Sequence, residues 1–302
     1  MFNDLARKYF GLFTVAGAVL GLALPSVGVL IQPYIMATLF VLMFFATAKI
    51  NKTRLVAAAR KPLVVLLGLV LMFILIPLVM YGLALFAGLD ETALFGVAFA
   101  ALAPAIVSAP FFVSMIKGDV EYSYILSVLS TLLSPVVIPA MLLFLVGKTV
   151  VVPLMSISTT IVALIVLPAL LVVIVRKILP PIMKLLESNE SSITGFDFLV
   201  FIWAIIAANA QTILTFSPLV TALLVLAVVQ EFGVYFAVRH VSKLFLPEKT
   251  SKALALSVGV KNTVLTAGIA LLFSSAAALP SGIVVLIHAP MFALIGWLKE
   301  KL

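Results

Sequence analysis

Ten long stretches of this chain are almost free of charge, and they leave it few ways to fold: residues 9–24, 28–47, 62–87, 92–116, 122–147, 152–175, 196–214, 217–239, 251–274 and 280–298. Each approaches the roughly 20 apolar residues a helix needs to cross the hydrocarbon core of a bilayer. In lipid every backbone polar group must find a partner within the chain, which leaves helices or closed barrels. Barrel strands would alternate polar and apolar residues; these runs are solidly apolar. The predicted fold class is therefore an all-α integral membrane protein with ten transmembrane helices. Composition agrees, with 65% apolar and only 10% charged residues, against roughly a quarter charged in a soluble domain. The absence of cysteine excludes disulfide, zinc-thiolate and thiol redox chemistry. The net charge of +8 sits in short clusters between the apolar runs. That makes the lipid bilayer, and not nucleic acid, the expected partner.

The charge clusters orient the bundle. With the N terminus in the cytoplasm, the inner segments collect Arg7, Lys8, the five basic residues from Lys49 to Lys61, Lys117, Arg176, Lys177, Lys184, Arg239, Lys243, Lys249, Lys252, Lys299 and Lys301, which is 17 of the 19 basic residues. Only Lys148 falls outside, with Asp90 and Glu91 on an outer connector. Basic residues are retained on the cytoplasmic side, so both termini are expected there, in the inner membrane. A span added or lost midway would scramble the pattern. The stretch from Leu179 to Ser192 is expected to lie along the inner interface. Ten spans divide into two sets of five, and an odd number per set turns the second set upside down, a common transporter plan. Residues 1–178 hold the first set plus the sixth span, with the repeat boundary near 150, and residues 179–302 hold the remainder.

Two charges break the apolar runs. Lys261 lies in the middle of the ninth run, and Glu231, of the 11 acidic residues, is the one well inside a run. A charge at mid-bilayer costs about 2.5–3.5 kcal/mol on insertion scales, so it faces a cavity or a partner. Snorkelling fits Lys261 poorly, with about ten apolar or small residues on either side; a purely structural Lys261–Glu231 pair stays open. The fourth run contains Pro104 and Pro110. Proline removes a backbone donor and clashes with the preceding turn, so this helix is predicted to break, with a half-helix near Ala109 and Pro110 directing its positive end at an anion. The ninth run has a matching weakness at Gly259, Lys261 and Asn262. Both runs are fourth in their set, which points to two broken helices, 4 and 9, crossing at the centre. Ser123, Ser127, Ser130 and Thr131 on the fifth helix read most simply as interhelical glue, and His288 on the tenth as a satisfied core histidine.

Over Ala103–Pro139, above all Lys117-Gly118-Asp119-Val120 and Leu129-Ser130-Thr131-Leu132-Leu133-Ser134-Pro135, and again over Ser257-Val258-Gly259-Val260-Lys261-Asn262-Thr263 and around His288, the sequence resembles the bile acid:sodium symporter family. The resemblance extends more loosely over nearly the whole chain. It implies a panel domain of helices 1, 2, 6 and 7, a core domain of helices 3–5 and 8–10, and transport of bile acids, pantoate-like acids and other small organic anions. It implies substrate contacts at Asn262, Thr263, His288, Ala109 and Pro110. It places the family's sodium-site hydroxyls at Ser123 and Ser127. The family's sodium-site Ser-Asn pair falls on Ala109 and Pro110, its ninth-helix glutamate on Ser257, the glutamine four residues on at Lys261, and its third-helix glutamine at Met72.

Sodium wants several hard oxygen donors. Met72 offers a thioether, Ala109 nothing, and a protonated Lys261 repels cations. The expected function is a secondary carrier of small organic anions by alternating access, independent of sodium, with Lys261 in place of the ion, held by Glu231 or by backbone carbonyls. A Lys261 that exchanged its proton would make the proton the coupling ion; one that stayed charged would leave a uniporter or exchanger. No cofactor and no metal is expected. The alternatives are a sodium-coupled organic anion symporter and a cation/proton antiporter. An arsenite pump lacks its thiol. An enzyme lacks any metal-ligand spacing or nucleophile elbow, with only His240 and His288 present. A channel does not suit a lone buried charge pair. Arg7 and Lys8 ahead of the first run also suit a signal peptide, but the second run follows within a few residues, so the first is expected to be retained. Intact mass spectrometry checks this: the mass should include the first run, and a start beyond residue 24 would contradict it.

Overall fold

The computed structural model describes residues 10–49, 62–147 and 153–300. Arg7, Lys8, Lys52, Arg54, Arg60, Lys61, Lys148 and Lys301, the two chain ends and the expected repeat boundary near 150 lie outside the described residues.

The described chain is helical. Seven helices are long and apolar enough to cross a membrane: α2 (Pro25–Ala48), α3 (Pro62–Phe86), α6 (Val120–Val146), α7 (Leu154–Ile178), α9 (Glu190–Ala207), α11 (Pro218–Ser242) and α14, whose apolar part is Ser275–Trp297. The first run forms α1 (Phe10–Ala23). The fourth and ninth runs are each split in two. α4 (Glu91–Ala101) and α5 (Ala109–Met115) flank one break, and α12 (Glu248–Gly259) and α13 (Thr263–Leu271) flank the other. Between α7 and α9 lies the short amphipathic α8 (Pro180–Ser188), with Met183 its buried residue. The seventh run differs from its expected 196–214: α9 begins at Glu190 and ends at Ala207, and a separate turn, α10 (Ala210–Leu214), follows.

Proline alone does not decide where these helices break. Pro135 and Pro139 sit inside α6, Pro168 inside α7, and Pro280 and Pro290 inside α14, all without interruption. Neighbouring helices can satisfy the backbone groups a proline frees in a membrane helix.

α1 packs along α9, which also packs on α2, while α7 packs on α2. The first contact is close because α1 carries glycines one turn apart. A Cβ at Gly17 would fall 2.6 Å from the Leu199 carbonyl oxygen, and one at Gly21 2.7 Å from Ile206 Cβ. Small residues let membrane helices approach where lipid gives no hydrophobic drive between them. The other elements gather around the breaks: α4 against α3 and α14, α12 against α11, α13 against α14, α5 and α12 against α6. At one end, Asp119 caps α6 by accepting from the Tyr122 amide (3.1 Å), takes a bond from Thr250 Oγ1 (3.2 Å), and gives its own amide to the Lys249 carbonyl (2.9 Å). Lys117 before it is left-handed (φ 54°), so the Lys-Gly-Asp turn joins the end of α5 to the start of α12.

Gly21→Leu should therefore destabilise the α1–α9 contact by about 1–3 kcal/mol, the usual cost of overpacking. A thermal-unfolding scan of the purified protein checks this; an unchanged melting temperature would contradict the close approach.

Candidate functional site

The two breaks meet. Ala105 and Lys261 pair as an antiparallel bridge. The Ile106 amide donates to the Val260 carbonyl (3.2 Å) and the Asn262 amide to the Pro104 carbonyl (2.7 Å). Buried backbone groups must be paired, and each break supplies what the other's helices lost. Side chains then pin both strands. Ser130 on α6 accepts from the Ala105 amide (3.1 Å), and Ser127 donates to the Ile106 carbonyl (3.2 Å). From α14, His288 Nε2 lies 3.0 Å from the Lys261 carbonyl and Nδ1 2.9 Å from that of Val284. A ring with hydrogens on both nitrogens serves both carbonyls; a neutral ring serves one.

The Lys261 side chain is fully buried. Its amine donates to the Met72 carbonyl (2.7 Å) and to the Ala101 carbonyl. Both acceptors are free for definite reasons. Ala101 ends α4, so its carbonyl is one of the four a helix leaves unserved. Met72 lies in a π-helical turn, Leu71–Leu75, inside α3, where the Ile76 amide goes back to Leu71. The next residue, Pro77, has no N–H to offer. A single amine thus serves two carbonyls on two other helices.

Glu231 lies in a second π-helical turn, Val229–Gly233, inside α11. It is fully buried, and neither carboxyl oxygen has a hydrogen-bond partner. It sits within electrostatic reach of Lys261 and His288. No Lys261–Glu231 ion pair forms: of the two expected holders of the amine, the carbonyls have it. Two more polar atoms nearby in the chain, Gln230 Nε2 and Thr263 Oγ1, are also buried and unpartnered.

The other expected residues divide. Asn262 and Thr263 sit in and just past the ninth-run break, almost fully buried. Ser123 and Ser257 hydrogen-bond to each other at 2.8 Å. Met72 contributes its carbonyl, with its side chain buried in the apolar core. Ala109 is fully buried, its amide bonded to the Ile106 carbonyl (2.9 Å). Pro110 stands in the first turn of α5, a half-helix of seven residues.

Reading the seventh helix too far along the chain hid one acidic residue. Asp197 is the eighth residue of α9, and its Oδ2 is buried without a partner. Glu231 is thus not the one acidic group inside a run. The polar start of α9, from Glu190 to Ser192, masked this. The signal for the freed Met72 carbonyl was Pro77, in plain view in the third run.

These features define a multi-pass helical membrane protein with a sealed polar junction between two interrupted helices. A family model described as the sodium bile acid symporter family matches residues 36–216. That is more than half of the chain, and the chain belongs to this family, whose members are transporters and not enzymes. The chain is also 25% identical over 282 residues, 93% of its own length and 87% of the relative's, to a protein of Bacillus subtilis (strain 168) described as the uncharacterized sodium-dependent transporter YocS. The family match stops before the segment that holds Glu231, Lys261 and His288.

Ser130→Ala should leave the Ala105 amide without its acceptor, a loss of about 1–3 kcal/mol for a buried donor. Thr131, whose hydroxyl donates to the Ser127 carbonyl one turn back, should cost less when changed to Ala. Paired thermal-unfolding scans check the order; equal effects would contradict the tether.

Proposed function

We propose that this transporter is a secondary carrier of small organic anions, bile-acid-like or pantoate-like acids, that works by alternating access without sodium, the Lys261 ammonium standing where relatives hold a cation. One observation carries the reading: a fully buried amine donates to the carbonyls of Met72 and Ala101, and the family resemblance places sodium-site glutamines at Lys261 and Met72. A sodium ion would draw carbonyl oxygens together; an ammonium does so with directed hydrogen bonds. The Ser123–Ser257 bond fits the same reading, since it occupies oxygens a cation would need.

The proposed architecture is ten spans in two inverted sets of five, both termini in the cytoplasm, in the inner membrane. Its support is positional. The third and eighth runs each contain a π-helical turn, the fourth and ninth each break, and the fifth and tenth each supply a tether, Ser130 and His288. The grouping of α1, α2, α7 and α9 fits a panel of helices 1, 2, 6 and 7 against a core of helices 3–5 and 8–10. In this scheme the anion meets Asn262, Thr263, His288 and the Ala109–Pro110 end of α5.

The relative's description as sodium-dependent favours a second reading, sodium-coupled symport. Uptake of radiolabelled pantoate or taurocholate into proteoliposomes, with sodium replaced by choline, separates the two. Equal uptake is expected, and strict sodium dependence would overturn the proposal. Lys261→Gln should strongly reduce uptake; unchanged uptake would remove Lys261 from the mechanism.

A further inference from the structure

We propose that Glu231 is a proton-binding site, and that this carrier takes up a proton there together with its anion and releases both on the opposite side. The inference deepens the sodium-free reading above and rests on it.

Three ionisable side chains share the junction, and they differ in how they are held. Lys261 gives N–H groups to two carbonyls on two other helices. His288 faces a carbonyl with each ring nitrogen, one of them on Lys261 itself. Glu231 has no such ties. Neither carboxyl oxygen is bonded, and the side chain is fully buried. A proton added to one oxygen neutralises the group without breaking any hydrogen bond, and its release breaks none.

A buried carboxylate ordinarily gathers several donors, because an ionised group stripped of water and donors is costly. An acid that lacks them is suited to hold a proton in one state of a cycle and to lose it when water reaches it in another. The charged groups around it are few. The first part of α11, Pro218–Val228, has no ionisable side chain. The part that follows carries Tyr235, Arg239 and His240, and Arg239 is engaged with Glu248 and Ser251. α12 carries Glu248, Lys249 and Lys252 in its first turns, α14 presents His288, and the break presents Lys261. Gln230 Nε2, on the adjacent residue, and Thr263 Oγ1, just past the ninth-run break, are likewise buried and unpartnered.

The direct test is infrared difference spectroscopy of the full chain in liposomes between acidic and alkaline buffer, without sodium or substrate. The wild type should show the carbonyl band of a protonated carboxyl group that comes and goes with pH. Glu231→Gln should remove it, Glu231→Asp should move it, and Asp197→Asn, which alters another carboxyl oxygen buried without a partner among the described residues, should leave it. A band that survives Glu231→Gln, or no such band in the wild type, overturns the proposal. In transport, an inward proton gradient should accelerate radiolabelled pantoate uptake by the wild type in choline buffer, and Glu231→Gln should lose that acceleration. If the wild type fails to transport in choline, the sodium-free reading falls. If it transports but proton coupling survives Glu231→Gln, only the assignment to Glu231 falls.

Discussion

One amine and two carbonyls organise the centre of this protein. The Lys261 ammonium donates to Met72 on α3 and to Ala101 at the end of α4 while its own backbone pairs with Ala105. Each partner is available only because a helix was disturbed: by a π turn followed by Pro77 in one case, by the end of a helix in the other. Remove the amine and two carbonyls are left unserved in a dry interior, at about 1–3 kcal/mol each. Remove either disturbance and the amine loses its seat. The lysine, the π turn and the break are therefore mutually dependent, which gives the junction one well-defined arrangement.

The departures from the family's sodium pattern fall into the same scheme. If the resemblance aligns an acidic residue with Ser257, a glutamine with Lys261 and another with Met72, as proposed, the exchange removes a negative charge and hard oxygen donors while adding a positive charge. Taken singly, each looks like damage to an ion site. On the proposed reading they together exchange a diffusible cation for a covalently attached one, with Ser123 and Ser257 bonded to each other. On the proposed reading the cost is that a fixed cation cannot travel with the substrate, so any coupling must use another ion. The unbonded carboxyl of Glu231 is the group with the freedom to carry one.

Much of this was legible in the amino-acid order, for physical reasons that also explain what was not. Helicity follows from apolar runs that could satisfy their backbones in lipid in no other way. Lys261 stood out because a charge with no apolar-to-polar edge nearby needs a partner. The break around Ala105 was visible in Pro104 and Pro110, yet the same reasoning applied to Pro135 and Pro139 would have broken α6, which is continuous. The difference lies in a neighbour: the fourth run has the ninth-run break to bond with, and that is a three-dimensional fact. Sequence spacing likewise left both Glu231 and the backbone as holders of the amine. It could not choose, because π turns leave no periodic trace in a run that is apolar on every side. Asp197 escaped because the polar first turns of α9 look like a loop.

The central claim is that the amine of Lys261 does the work of a bound sodium ion. Equilibrium binding of radioactive sodium to the purified wild-type protein, competed with unlabelled sodium, tests it most directly. The account predicts no saturable binding. Saturable sodium binding to the unmodified chain would contradict it.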